Sequence, residues 1–163
     1  YPSFSDVLGE SYYKGDSHWN YYGAYSAYTL YMKSLGLEPI SIELCNKSIS
    51  YMKGDLITKI SNGVNVEKVE HFSIEGSLEH KVYDNGVVNT GRIQEYINND
   101  ASGSILIFHS SSIDWMKPFL VKSFRKSKFI WNINFDTNEV KGFKPDHVLT
   151  QTNERFLVRY PDS

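Results

Sequence analysis

The sequence holds a single cysteine, Cys45, among 163 residues. One thiol cannot close an internal disulfide and cannot build a cysteine-based zinc site. A marked excess of either charge is also missing: 17 Lys and Arg stand against 19 Asp and Glu, for a net charge of -2. A nucleic-acid binder carries a basic footprint, so no nucleic-acid partner is expected. No apolar run approaches the length of about eighteen residues that a membrane helix needs. No stretch has the pattern of a secretory signal peptide. The sequence begins at Tyr1 instead of Met, and we expect a C-terminal fragment of a longer protein.

What is present is ordinary for a globular chain, with 40% hydrophobic and 22% charged residues. The length suits one domain with a core, and residues 1–163 are expected to form it. Aromatics reach 15%, with twelve tyrosines. A flat apolar ring with a polar edge suits either core packing or contact with a sugar.

Chemistry concentrates in two places. Gly15-Asp16-Ser17-His18-Trp19-Asn20 sets an acid and a histidine with one residue between them. A serine cluster, Ser110-Ser111-Ser112, follows His109 at the end of the apolar run Ser104 to Phe108. Serine is a poor nucleophile until a base takes its proton, and a carboxylate that fixes the tautomer of that base improves it. Asp16, His18 and one of the serines are thus the parts of an acyl-transfer or hydrolytic site. A packed histidine and helix-capping serines are the plainer alternative for the same residues. The zinc spacing His-Glu-x-x-His is absent, so no metal is expected. Asp114 fits capping of a following helix and receives no catalytic role.

Along the chain, Asn20 can cap a helix from Tyr21 to Ser34 that Gly36 ends. Ala24, Ala27, Tyr28 and Tyr31 lie on one face of it. Pro39 to Leu44 reads as an edge strand, and Ile49 to Ile60 contains a short helix. Asn62-Gly63 and Asp84-Asn85-Gly86 are turns. Val64 to Ile74 and His80 to Tyr83 read as strands, joined as a hairpin through Glu75-Gly76-Ser77. Residues 92–97 fit a strand or a helical turn. Ser104 to Phe108 reads as a strand buried on both faces. A helix over Ile113 to Phe124, a strand over Lys128 to Ile133 and another over Asp146 to Thr150 follow. Strand, helix, strand, loop, strand implies parallel pairing, with ligands beyond the carboxyl ends of the strands.

Several segments together look familiar. Tyr13 to Asn20 followed by Gly23-Ala24-Tyr25 resembles the Asp-x-His-Trp signature of the alginate O-acetyltransferase-like branch of the SGNH hydrolase superfamily. Gly54-Asp55-Leu56, Asn89-Thr90-Gly91-Arg92, Ile105 to Ser112, Pro118-Phe119-Leu120, Phe124, Lys144 to Val148 and Glu154-Arg155-Phe156-Leu157 resemble further family segments, in the family's order. His109-Ser110 stands where the family has Gly-Asp. The resemblance implies an α/β three-layer sandwich with a mainly parallel sheet, partial at its N-terminal side, plus a small β insertion. It implies Ser111 as nucleophile, with Ser110 as the fallback, His18 as base and Asp16 as its orienting carboxylate. Trp19 and Tyr22 would border the substrate, and no cofactor is required. The implied reaction is O-acetylation of a cell-surface polysaccharide, outside the cytoplasm, with acetyl groups supplied by a membrane-bound acyltransferase. An acetylesterase, or a catalytically inactive carbohydrate-binding module of this fold, are the other readings.

Overall fold

The computed structural model describes residues 11–60, 66–77 and 79–153. The Asn62-Gly63 turn and the Glu154 to Leu157 segment lie outside them. The chain divides into two compact units, Tyr1–Glu75 and Gly76–Ser163.

The first unit is organised by helix α1, Tyr21–Ser34. Asn20 caps it in an extended conformation, its side-chain oxygen accepting the Gly23 N–H at 3.0 Å. Gly36, at φ +70°, lies just past the Leu35 cap, where glycine carries no Cβ penalty. Ala24, Ala27, Tyr28 and Met32 form its buried stripe. The expected edge strand at 39–44 is instead a loop ending in one 3-10 turn, Ile42–Leu44. The cause lies in α1. The Tyr28 hydroxyl accepts the Ile40 N–H at 2.8 Å, and the Tyr25 hydroxyl accepts the Ile42 N–H and donates to the Ile40 carbonyl. Tyrosines thus satisfy the backbone groups that a strand would offer to a neighbour.

Strands β1, Asn46–Met52, and β2, Glu67–Ser73, pair antiparallel from Asn46 against Ser73 to Met52 against Glu67. Helix α2, Asp55–Ile60, lies between them in the chain. Tyr22 of α1 packs edge-on against Phe72 of β2 at 5.0 Å and donates its hydroxyl proton to Glu70. Among the described residues, the hairpin expected through 75–77 is not formed. β2 pairs with the upstream β1 over seven residues, and the downstream strand β3, Lys81–Asp84, belongs to the other sheet.

The second unit holds a five-stranded sheet in the order β3-β4-β6-β5-β7. Its further strands are β4, Ile93–Ile97, β5, Ser102–His109, β6, Phe124–Ile130, and β7, His147–Gln151. β5 runs parallel to both β6 and β7, as the strand-helix-strand order implied. β4 is antiparallel to β6 and to β3, so the sheet is mixed, with two parallel and two antiparallel pairings. A parallel return needs a long crossover, usually a helix, and the short connection from β3 to β4 gives an antiparallel pair instead. Gly86, at φ +74°, sits in the turn between β3 and β4.

The expected helix at 113–124 splits into a 3-10 turn, Ser111–Trp115, and helix α3, Lys117–Ser123. Pro118 lacks an N–H and is tolerated only in a first turn, so the α-helix restarts there. Phe124 already belongs to β6. In β5, Ile105, Leu106, Ile107 and Phe108 are all buried. Leu106 and Phe108, two residues apart and therefore on one face, pack with Ile130 of β6 and with Val140 and Phe143 of helix α4, Thr137–Phe143. The centre of β5 is buried on both faces, and the serines follow at its carboxyl end.

Candidate functional site

In the first unit, residues 11–20 form a loop pinched by an antiparallel bridge between Tyr12 and Trp19. Asn20 N–H donates to the Ser11 carbonyl at 2.8 Å. Within the loop, His18 Nδ1 lies 2.6 Å from Asp16 Oδ1, and the same oxygen accepts the His18 backbone N–H at 2.9 Å. A carboxylate oxygen can only accept, so the ring proton sits on Nδ1 and the basic lone pair is on Nε2. That is the tautomer a general base needs.

The other Asp16 oxygen, Oδ2, accepts the Asp55 N–H at 2.9 Å at the start of α2. The Asp55 carboxylate in turn accepts the Ser17 N–H and the Ser17 hydroxyl, both at 2.7 Å. Burial pushes the Asp55 carboxyl up, but the two Ser17 bonds, with the Lys59 charge nearby, outweigh it and leave it below its ordinary range. Two glycines let the loop lie on α2. The Gly15 carbonyl accepts the Leu56 and Ile57 N–H groups, each at 3.1 Å. A Cβ on Gly54 would stand 1.9 Å from that carbonyl oxygen, and backbone cannot yield. Asp55 is thus a site residue whose role spacing did not reveal; Gly54-Asp55-Leu56 was its one signal.

Asp16, His18 and Asp55 bring ligand-type atoms within 4.8 Å of one another. Each of their four carboxylate oxygens already accepts a hydrogen bond from this chain. The cluster is arranged to hold an imidazole. Of the two expected substrate contacts, Trp19 is half-buried and Tyr22 is exposed with its hydroxyl committed to Glu70.

In the second unit, the serines sit at the carboxyl end of β5. Ser110 is buried at 3% exposure. Its N–H reaches both the carbonyl and Oε1 of Gln151, at 3.1 and 3.2 Å. Its hydroxyl lies 3.0 Å from Gln151 Oε1 and 3.1 Å from Asn153 Oδ1, donating to one at a time. Ser112, also buried, donates to Asn153 Oδ1 at 2.8 Å. Ser111, between them, is the partly exposed member of the three and opens the 3-10 turn. Asp114 lies in the 3-10 turn and holds the Lys117 ammonium at 2.7 Å; the cap position of α3 is taken by Met116, not by Asp114.

His109, 3% exposed, donates from Nδ1 to the Ser110 carbonyl at 2.9 Å. Burial, with the Lys117 charge nearby, lowers its ring to about 4 despite that bond. The folded chain therefore holds it neutral, while the unfolded chain protonates it near 6.5. Between those values the unfolded state binds more protons, so stability is full above about pH 6.5 and declines as pH falls towards 4. The loss attributable to this ring is expected to reach about 3 kcal/mol. Denaturant titrations from pH 7 to 4, on the parent chain and on His109→Phe, check it. The variant should lose less stability over that interval, and an equal loss in both would refute the assignment.

No family model and no curated protein matches the sequence. Solved structures do match. A DHHW family protein from Eubacterium siraeum superposes with a TM-score of 0.69 at 13% identity, over 87% of this chain and 58% of that one. PatB1 of Bacillus cereus gives 0.65 at 16% identity, over 91% and 64%. The O-acetyltransferase domain of AlgJ from Pseudomonas putida gives 0.52 at 14% identity, over 96% and 58%. The chain has the fold of the alginate O-acetyltransferase-like branch. It spans about three fifths of the length of these three structures. At such identities the likeness to that branch is one of fold. Among the described residues, no helix is long and apolar enough to cross a membrane.

Proposed function

We propose that this chain carries the catalytic groups of an O-acetyltransferase that modifies hydroxyls of a cell-surface polysaccharide outside the cytoplasm. The observation that supports this most strongly is the 2.6 Å contact between Asp16 and His18, with the carboxylate anchored on its far side by the Asp55 N–H. The reading requires the Ser111 hydroxyl and His18 Nε2 to share a proton. Ser111 Oγ would attack the acetyl carbonyl as its proton passes to His18 Nε2. Asp16 would stabilise the imidazolium that forms. The imidazolium would then protonate the departing group, leaving acetyl on Ser111. A sugar hydroxyl, deprotonated by His18, would take the acetyl and restore the serine. The Ser111 N–H is the donor we assign to the oxyanion. Water in place of the sugar makes the same machinery an acetylesterase. Ser111 is favoured over Ser110 because the Ser110 hydroxyl is buried among Gln151 and Asn153. A membrane-bound acyltransferase would supply the acetyl group.

The test is to incubate the protein with p-nitrophenyl acetate, quench, and map the acetyl group by peptide mass spectrometry. Acetate on Ser111 is expected. Acetate on Ser110 would move the nucleophile by one residue, and acetate on neither would overturn the reading. Adding glycan acceptors then separates transfer from hydrolysis.

A further inference from the structure

Ser110 occupies the cap position of the Ser111–Trp115 turn, with an extended backbone, yet its hydroxyl makes no capping bond. A serine there ordinarily accepts an N–H from the first turn. Instead its hydroxyl faces Gln151 and Asn153, at and beyond the end of β7. The hydroxyl of Ser112 goes to the same Asn153 oxygen. Gln151 Nε2 donates to that oxygen at 3.4 Å. One carboxamide oxygen therefore gathers the side chains on both sides of Ser111, from more than forty residues away in the chain.

We infer that Asn153 is a positioning residue: its side-chain oxygen clamps Ser110 and Ser112 and thereby sets the Ser111 hydroxyl for acylation. This rests on the reading of Ser111 as nucleophile. The physical sense follows from burial. With both flanking serines tied inward at 3% and 5% exposure, the intervening residue is turned towards solvent, and Ser111 is the one partly exposed. An acyl-transfer rate is steep in the placement of its nucleophile, and a shift of about 1 Å can cost about 100-fold.

The test compares Asn153→Ala, Asn153→Asp, the double variant Ser110→Ala/Ser112→Ala, and all three alanines together. With p-nitrophenyl acetate, Asn153→Ala is expected to lower kcat by roughly 10- to 100-fold while KM stays within about twofold. Asn153→Asp, which keeps an acceptor oxygen at that position, should recover most of the rate. The double serine variant should lose as much as Asn153→Ala, and the triple variant no more than either, because all remove one interaction. Wild-type kcat in Asn153→Ala, or losses that multiply in the triple variant, would overturn the clamp. Amide hydrogen exchange over residues 110–113 reads the same contact without turnover. It should speed up about tenfold or more in Asn153→Ala and hold in Asn153→Asp. If the parent protein forms no acetyl-Ser111, the acetyl-transfer reading fails. Unchanged exchange in Asn153→Ala sinks the clamp by itself.

Discussion

Ser111→Ala and His18→Ala are each expected to reduce the turnover of p-nitrophenyl acetate by about 10⁴- to 10⁶-fold, and the double variant to be no worse than either. The lack of additivity is the informative part. A base without a nucleophile, and a nucleophile without a base, are equally idle, so the second deletion removes nothing further. Ser110→Ala should stay within about tenfold of the parent, because its hydroxyl is held between two carboxamides and only supports its neighbour. Stopped-flow or initial-rate assays on the four proteins decide the matter. If Ser110→Ala is dead and Ser111→Ala is active, the nucleophile lies one residue earlier. If losses from His18 and Ser111 multiply, the two do not act as a unit and the proposed reaction is wrong.

Much of the scaffold was legible because its signals are local. Asn20, the apolar positions Ala24, Ala27 and Tyr28, and the glycine at 36 lie within one helix and its ends, and α1 runs over the span that they imply. The continuous run Ile105 to Phe108 announces a strand buried on both faces. The errors occur where a distant partner decides. Residues 39–44 have the composition of a strand, but two tyrosines of α1 take their backbone groups. The strand at 67–73 had two candidate partners, and it pairs with the upstream one. The sheet is mixed because β6 lies between β4 and β5, which hydrophobicity along one strand does not encode.

The site follows the same division. Asp16 and His18 are two residues apart, so their bond could be anticipated from spacing alone. Asp55 reaches Asp16 from thirty-nine residues away, and Asn153 reaches Ser110 from forty-three. Neither carries a spacing rule, since any polar residue on the right loop would have served the count. Gly54 shows the kind of constraint that a sequence states only in part. The residue announces a tight approach, but that the approach is to the Gly15 carbonyl emerges only in three dimensions.

Asp16→Asn is expected to lower kcat by about 10⁴-fold with the fold intact. All three donors around that side chain are fixed: the His18 N–H and Nδ1 on one oxygen, and the Asp55 N–H on the other. An amide has one oxygen and one NH2 group. If its oxygen faces His18, the NH2 opposes the Asp55 N–H and the loop is pushed off α2. If its oxygen faces Asp55, the NH2 opposes His18, and the imidazole must move its proton to Nε2 to accept it. The second arrangement gives a well-ordered but non-basic ring at the position that should take the serine proton. In both, the imidazolium formed during reaction lacks its anion. Steady-state kinetics give the loss in rate. A thermal scan reports whether the loop detaches, and imidazole nitrogen chemical shifts identify the tautomer. Asp55→Asn should behave differently, because the Asp55 backbone N–H that anchors Asp16 survives the change; only the Ser17 contacts weaken, for a rate loss of roughly tenfold. Equal losses in the two variants would mean that Asp16 does no more than tie the loop down, and the role assigned to it as the partner of a working base would have to be abandoned.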